Sequence, residues 1–225
     1  MSEPAHDVAE QQIDPWEAAY LRFETQEEEI RKFTDRLRRL GAGEWPRESN
    51  VVELFCGRGN GLHALARLGF RNIEGVDLSP RLLAEFSGEA LCYVGDCREL
   101  PFADQTKDAA IVQGGLHHLP VLPDDLERVF AELRRVLRPQ GRVLFVEPWL
   151  TPFLRALHGV AQRPPLRRWS MKLDALATMI EHERQTYENW LDRPQEIAQL
   201  ARRYFRAEHE SFAWGKWNFV GRPRL

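Results

Sequence analysis

The chain has 225 residues, of which 43% are hydrophobic and 29% charged, with a formal net charge of −3. This balance excludes a disordered chain, and the weak net acidity predicts no general affinity for nucleic acid. The length suits one main domain with room for an accessory element.

The opening MSEPAHDVAEQQID is acidic and has no apolar run, so no secretory signal is expected there. No stretch reaches the roughly 18 apolar residues of a membrane span. Cys56, Cys92 and Cys97 show neither metal-ligand spacing nor a disulfide pattern, so no metal site is expected and a reducing cytoplasm is the expected home. The first 50 residues are net acidic and residues 148–225 net basic. Either the two ends attract each other within one fold, or the tail meets an anionic partner.

Trp16, Tyr20, Phe23, Ile30, Phe33, Leu37 and Leu40 recur at helical spacing. Asp14 and Pro15 suit the start of this helix, and Gly41 and Gly43 its end. Its apolar stripe either packs on the main domain or covers a ligand cleft. From residue 51 short apolar runs alternate with helical stretches. VVELF reads as a strand and NGLHALARLG as a helix. NIEGVD is a second strand, and Ser79-Pro80 opens a helix. LCYVGD and DAAIVQ are the third and fourth strands. LPDDLERVFAELRRVL is an amphipathic helix with acids first and arginines last, as its dipole favours. Arg138-Pro139-Gln140-Gly141 stops it, and RVLFVEP is the fifth strand.

The alternation predicts an α/β fold: a doubly wound, mostly parallel sheet with helices on both faces. The terminal pair, near YFRAEHESFAW and KWNFVG, adds an antiparallel strand. Residues 1–50 form an N-terminal helical segment, and 51–147 with 204–225 form the main domain. Residues 148–203 form a helical insertion that could roof the cleft at the carboxyl ends of the strands.

ELFCGRGNG lies between a strand and a helix, where glycines allow close backbone approach and the helix start offers free N–H groups. It fails the G-x-G-x-x-G pattern of dinucleotide folds, because Leu62 stands at the third glycine. Asp77 ends the second strand, where it can accept from both ribose hydroxyls. Asp96 ends the third, where it can accept from an adenine amine, and the Cys97 N–H can donate to a ring nitrogen.

With ELFCGRG, GVDLSP, VGDCRELPFADQTKDAAIV, GGLHHL and LRPQGRVLFVEP in order, the segment from about Val51 to Glu147 resembles class I S-adenosylmethionine (SAM)-dependent methyltransferases. It is most similar to the small-molecule and quinone-type branch. The resemblance implies SAM as cofactor and a Rossmann-like fold. It also implies that Glu53 supports the glycine loop, that Gly57 and Gly59 line the methionine part, that Asp77 holds ribose and that Asp96 with Cys97 reads adenine. Phe55, Cys56, Leu78 and Gln113 flank these positions and are counted with the cofactor site. The family usually has glycine where Phe55 stands. Cytosine-5 DNA methyltransferases have phenylalanine there, but their Pro-Cys pair is absent, and Gln113-Gly114-Gly115 occupies its place. The expected acceptor is a small or lipid-like molecule. The rival reading is a SAM-binding regulatory protein without catalysis, which only turnover separates.

Methyl transfer needs mainly alignment and exclusion of water. His117 follows the fourth strand near the expected transfer point and is the candidate catalytic residue. Its loss is expected to cost less than the roughly 10²–10⁴-fold of a committed general base. His118 is the weaker candidate. If residues 173–191 form one helix, Leu173, Leu176, Ile180, Tyr187 and Leu191 share a face with Arg184 in its middle. Arg184 then either pairs with Glu181 and Glu188 or, with Tyr187, anchors the acceptor. Trp149, Phe153, Leu154, Leu157 and Trp169, interleaved with Arg155, Arg167 and Arg168, form a lid on the core, a lipid-like acceptor surface or a peripheral membrane contact.

Overall fold

A computed structural model describes residues 25–155 and 184–224. Asp14, Pro15, Trp16, Tyr20, Phe23, Leu157, Arg167, Arg168, Trp169, Leu173, Leu176, Ile180 and Glu181 lie outside the described residues.

The first described helix, α1, spans Gln26–Arg39. Thr25 is extended (φ −74°, ψ 153°), accepts from the Glu28 N–H and closes a capping box with the Glu28 side chain. This corrects the expected single run from Asp14 to Leu40, because a capping box begins a helix at residue 26. Gly41, at φ 86°, ends it, and a 3₁₀ turn, Ala42–Glu44, follows.

Next come β1 (Asn50–Leu54), α2 (Asn60–Arg67), β2 (Asn72–Asp77), α3 (Pro80–Ala84), β3 (Leu91–Val94) and β4 (Lys107–Gln113). Ser79 caps α3 by accepting from the Leu82 N–H, as the Ser-Pro pair predicts. The helix α4 spans Asp124–Val136, with Asp124, Asp125 and Glu127 in its first turn and Arg134 and Arg135 in its last. The strand β5 runs over Leu137–Pro148. It therefore takes in Arg138-Pro139-Gln140-Gly141, where the sequence predicts only a helix stop. Leu137 already pairs with Lys107, and an irregularity near Lys107 and Ala109 absorbs the mismatch before regular pairing resumes at Arg142. Then come α5 (Arg184–Leu191), α6 (Pro194–Tyr204), β6 (Phe205–Ala213) and β7 (Lys216–Pro223).

The seven strands lie in the order β3-β2-β1-β4-β5-β7-β6, with β7 antiparallel to both neighbours and the others parallel. The order reverses at β1, so the cleft at a switch point opens beyond the carboxyl ends of β1 and β4. Strand residues alternate between two cores. Val51, Ile111 and Leu144 face α1 and α2, whereas Val52, Val112 and Phe145 face α4, α5 and α6. In α4, Leu126, Val129, Phe130, Leu133 and Val136 make one buried stripe. Each such side chain is worth about 1.5–3 kcal/mol on burial. Helix α5 joins this core: Trp190 is fully buried and donates from Nε1 to the Pro148 carbonyl.

Candidate active site at the carboxyl ends of the strands

The loop after β1 makes two left-handed steps before α2, at Phe55 (φ 55°) and Gly57 (φ 51°), and a third at Gly59 (φ 82°), the residue that begins the helix. A side chain at Gly59 would sit 2.1 Å from the Phe86 ring. One at Gly61 would sit 1.9 Å from the Glu53 carboxylate, so Gly61 lets the buried Glu53 lie beneath the helix start. Phenylalanine in the left-handed region costs about 1–2 kcal/mol, a cost that glycine would not carry. Here the ring lies over Gly115, where a Cβ would come within 2.3 Å of it. We expect Gly115→Ala to destabilise the protein by about 1–3 kcal/mol through overpacking. The same change in a Phe55→Gly background should cost much less. Equal costs in both backgrounds, measured by thermal unfolding, refute the contact.

Asp77, at the end of β2, ties this loop in place. Its Oδ2 accepts from the Gly57 N–H at 2.8 Å and its Oδ1 from the Ser79 N–H at 2.9 Å. Beyond β3, Asp96 accepts from the Arg98 guanidinium and from the Arg98 N–H at 2.8 Å, which holds its carboxyl below the usual range. Arg98 also bridges to Asp125 at 2.9 Å. Burial pushes up the thiols of Cys56 and Cys97, the latter to about 12, so neither is a thiolate at neutral pH.

A polar chain runs inward from α1. Arg36 donates to the Gln113 Oε1 and Gln113 Nε2 donates to the Glu53 Oε1, both at 3.3 Å. The other Glu53 oxygen is buried without a hydrogen-bond partner. Burial, opposed by the Gln113 bond and helped by Glu29, raises the Glu53 carboxyl to about 8. A buried carboxyl oxygen without a partner at this end of the cleft fits a ligand that ionises the group and brings a donor, such as the ammonium group of SAM's methionine part.

After β4, a 3₁₀ turn over Leu116–His118 carries the two histidines. His117 Nδ1 lies 2.8 Å from the Glu147 Oε2, and the other Glu147 oxygen accepts from the Gly115 and Leu116 N–H groups at 2.9 Å each. Glu147 is fully buried. The His117 ring packs on His118, with centroids 4.1 Å apart, and meets Tyr187 edge-on at 5.8 Å.

One cavity of about 700 Å³ joins these groups. Of the residues expected from sequence, Glu53, Phe55, Cys56, Gly57, Asp77, Leu78, Asp96, Cys97, Gln113, His117 and Tyr187 line it. Gly59 does not, and serves the loop instead. Arg184 does not either: its side chain is 59% exposed and lies 3.9 Å from the equally accessible Glu188. Tyr187, Trp190 and Leu191 carry the inward face of α5, while Arg184 reaches water. Gly61, Lys216 and the α1 residues Lys32 and Arg36 also line the cavity, and Glu147 supports His117; none of these stands out from the sequence alone. Among the described residues no group of three or more His, Cys, Asp or Glu could hold a metal ion. No described helix is long and apolar enough to cross a membrane.

Strand order, a single antiparallel strand next to β5, and a cleft walled by a glycine loop and two strand-end acids define the class I methyltransferase architecture. Residues 52–145 match the family described as "Methyltransferase domain", and this segment has the Rossmann-like fold of that family. The chain is 32% identical over 110 residues to demethylmenaquinone methyltransferase of Bacillus licheniformis, covering 45% of this chain and 46% of that protein. It is 27% identical over 150 residues to 27-O-demethylrifamycin SV methyltransferase of Amycolatopsis mediterranei, covering 62% and 52%. The chain thus spans about half the length of these relatives. The crystal structure of the PH0226 protein from Pyrococcus horikoshii superposes with a TM-score of 0.70 at 22% identity, covering 95% of this chain and all of that one.

Proposed function

We propose that this chain transfers the methyl group of SAM to a small, largely apolar acceptor. The observation that carries the reading is the cavity of about 700 Å³, whose wall includes the glycine loop, both strand-end acids and His117. Glu53, Gly57, Asp77, Asp96 and Cys97 would hold SAM, which supplies an already activated methyl group. The relatives named for demethylmenaquinone and for a rifamycin support a small-molecule acceptor.

The chain's own part is to align the acceptor, keep water out and take a proton where the acceptor atom carries one. The Glu147 carboxylate is an acceptor, which assigns the proton to His117 Nδ1 and makes Nε2 the accepting nitrogen of the ring. This contact gives His117 a stronger claim to a proton-accepting role than its place after β4 alone.

The reading is tested by calorimetry with S-adenosylhomocysteine and by turnover of labelled SAM on a panel of aromatic acceptors. Asp77→Ala should weaken S-adenosylhomocysteine binding by about 2–3 kcal/mol, because charge-assisted bonds to ribose and the tie to the Gly57 N–H go together. Unchanged affinity in a folded variant removes Asp77 from the site. Tight binding with no turnover on any acceptor favours the non-catalytic alternative.

A further inference from the structure

The hairpin joining β6 to β7 is a two-residue turn, Trp214-Gly215, with both residues at positive φ (54° and 74°). It is pinned to the end of β5: the Gly215 N–H donates to the Thr151 hydroxyl at 3.0 Å, and the Gly215 carbonyl accepts from the Trp149 N–H at 2.9 Å. The next residue, Lys216, pairs with Pro148 across the sheet and lines the cavity on the side away from Asp77 and Asp96.

Lys216 is unlike the other charged groups on that wall. Asp96 and Arg98 pair with each other, Asp77 holds the loop, Arg36 and Glu53 share Gln113, and Glu29 accepts from Asn60. Among the described residues, Lys216 alone of the cavity's charged side chains has no hydrogen bond or ion pair. Glu147 attracts it without forming an ion pair, while burial and the nearby Arg36 and Lys32 push its amine down to about 8. Lys216, Lys32 and Arg36 therefore gather at the α1 and β7 side of the cleft, where Glu29 and Glu53 also lie, and the carboxylates Asp77 and Asp96 sit at the opposite end.

The rim beside this cationic end is aromatic. Trp214 (79% exposed) and Phe153 (47% exposed) meet edge-on with centroids 5.5 Å apart, and Tyr187 lines the same cavity. A desolvated cation beside exposed rings is complementary to a flat apolar molecule with an anionic oxygen group.

We propose that Lys216 anchors a carboxylate on the acceptor, so that the acceptor is an aromatic acid rather than a neutral or cationic molecule. This rests on the methyl-transfer reading for the word acceptor, but the anchor itself can be tested without turnover. The probes are 2-naphthoate and its neutral analogue 2-naphthamide, titrated into the full chain with and without saturating S-adenosylhomocysteine. The carboxylate should bind about 10–100-fold more tightly than the amide. Lys216→Met should erase that preference and Lys216→Arg should keep it, with S-adenosylhomocysteine affinity the same in all three proteins. Equal binding of the two probes to the parent, no binding of the carboxylate, or a preference that survives Lys216→Met overturns the proposal. So does a loss of S-adenosylhomocysteine affinity in Lys216→Met with the preference intact, which assigns the amine to the cofactor's own carboxylate. Failure of the parent to bind S-adenosylhomocysteine sinks the methyl-transfer reading alone, and the titrations on the free protein still decide the anchor. If Lys216→Met does not fold, the parent and Lys216→Arg decide: a parent without preference, or an arginine variant that loses it, counts against the anchor.

Discussion

Glu147→Gln should give a folded protein that binds S-adenosylhomocysteine normally and transfers methyl groups about 10²-fold more slowly, at the lower edge of what a positioned base contributes. The amide oxygen can still accept from the Gly115 and Leu116 N–H groups. Its NH₂ then faces His117 Nδ1, which turns that nitrogen into an acceptor and moves the proton to Nε2. The ring keeps its place but presents the wrong atom to the acceptor. Single-turnover rates on the variant and its parent, across neutral and alkaline pH, decide the matter. Equal rates would mean that His117 only packs. Glu147→Ala instead leaves buried donors unmatched and should cost about 3–5 kcal/mol of stability. Burial alone pushes the Glu147 carboxyl up, but His117 and the two N–H groups outweigh it and hold it below its ordinary value. The stability this cluster contributes is therefore complete above the ordinary carboxylate range and is lost as pH falls through the depressed value.

S-adenosylhomocysteine binding at pH 7 should release roughly one proton from Glu53. With its carboxyl raised to about 8, Glu53 is mainly protonated in the free protein at that pH. A ligand ammonium beside the unmatched oxygen favours the carboxylate, and the proton leaves to the buffer. Calorimetry in two buffers with different heats of ionisation reads the number directly. The release should fade above pH 9, where Glu53 is already ionised, and vanish in Glu53→Gln. Identical apparent enthalpies in both buffers place the ammonium elsewhere. In the ligand-free protein the raised value works against stability, which declines as pH climbs from the ordinary carboxylate range through about 8.

Much of the frame was legible in the residues. Strand and helix alternation from Val51 onward, the Ser79-Pro80 start and the acid-to-arginine polarity of α4 are local signals, and local interactions decide them. The strand-end acids were legible for a similar reason: Asp77 and Asp96 close runs whose direction in a parallel sheet is already fixed. Glu147 was not, because its role comes from Gly115, Leu116 and His117, which only the pairing of β4 with β5 brings near. Lys216 was hidden in the same way, since its neighbours come from α1 and from β5. The place of Arg184 depends on how α5 turns its faces toward the core, and helical spacing alone does not fix that rotation. The Thr25 capping box was visible as Thr-x-x-Glu but was masked by the longer apolar rhythm running through it. Gly61 completes a run of alternate glycines with Gly57 and Gly59, and that run was the available signal for it.

The contact between Phe55 and Gly115 gives the chain a constraint on how its sequence can change. The atoms nearest a Cβ at 115 all belong to Phe55, so a chain with glycine at 55 lacks that clash. Substitutions at the two positions are therefore coupled: phenylalanine enters 55 at least cost when 115 is glycine, and 115 enlarges at least cost once 55 has shrunk. A chimera that takes β1 and its loop from one relative and the turn after β4 from another inherits the conflict, even when both parents are stable. Grafting between such chains has to carry the two segments together.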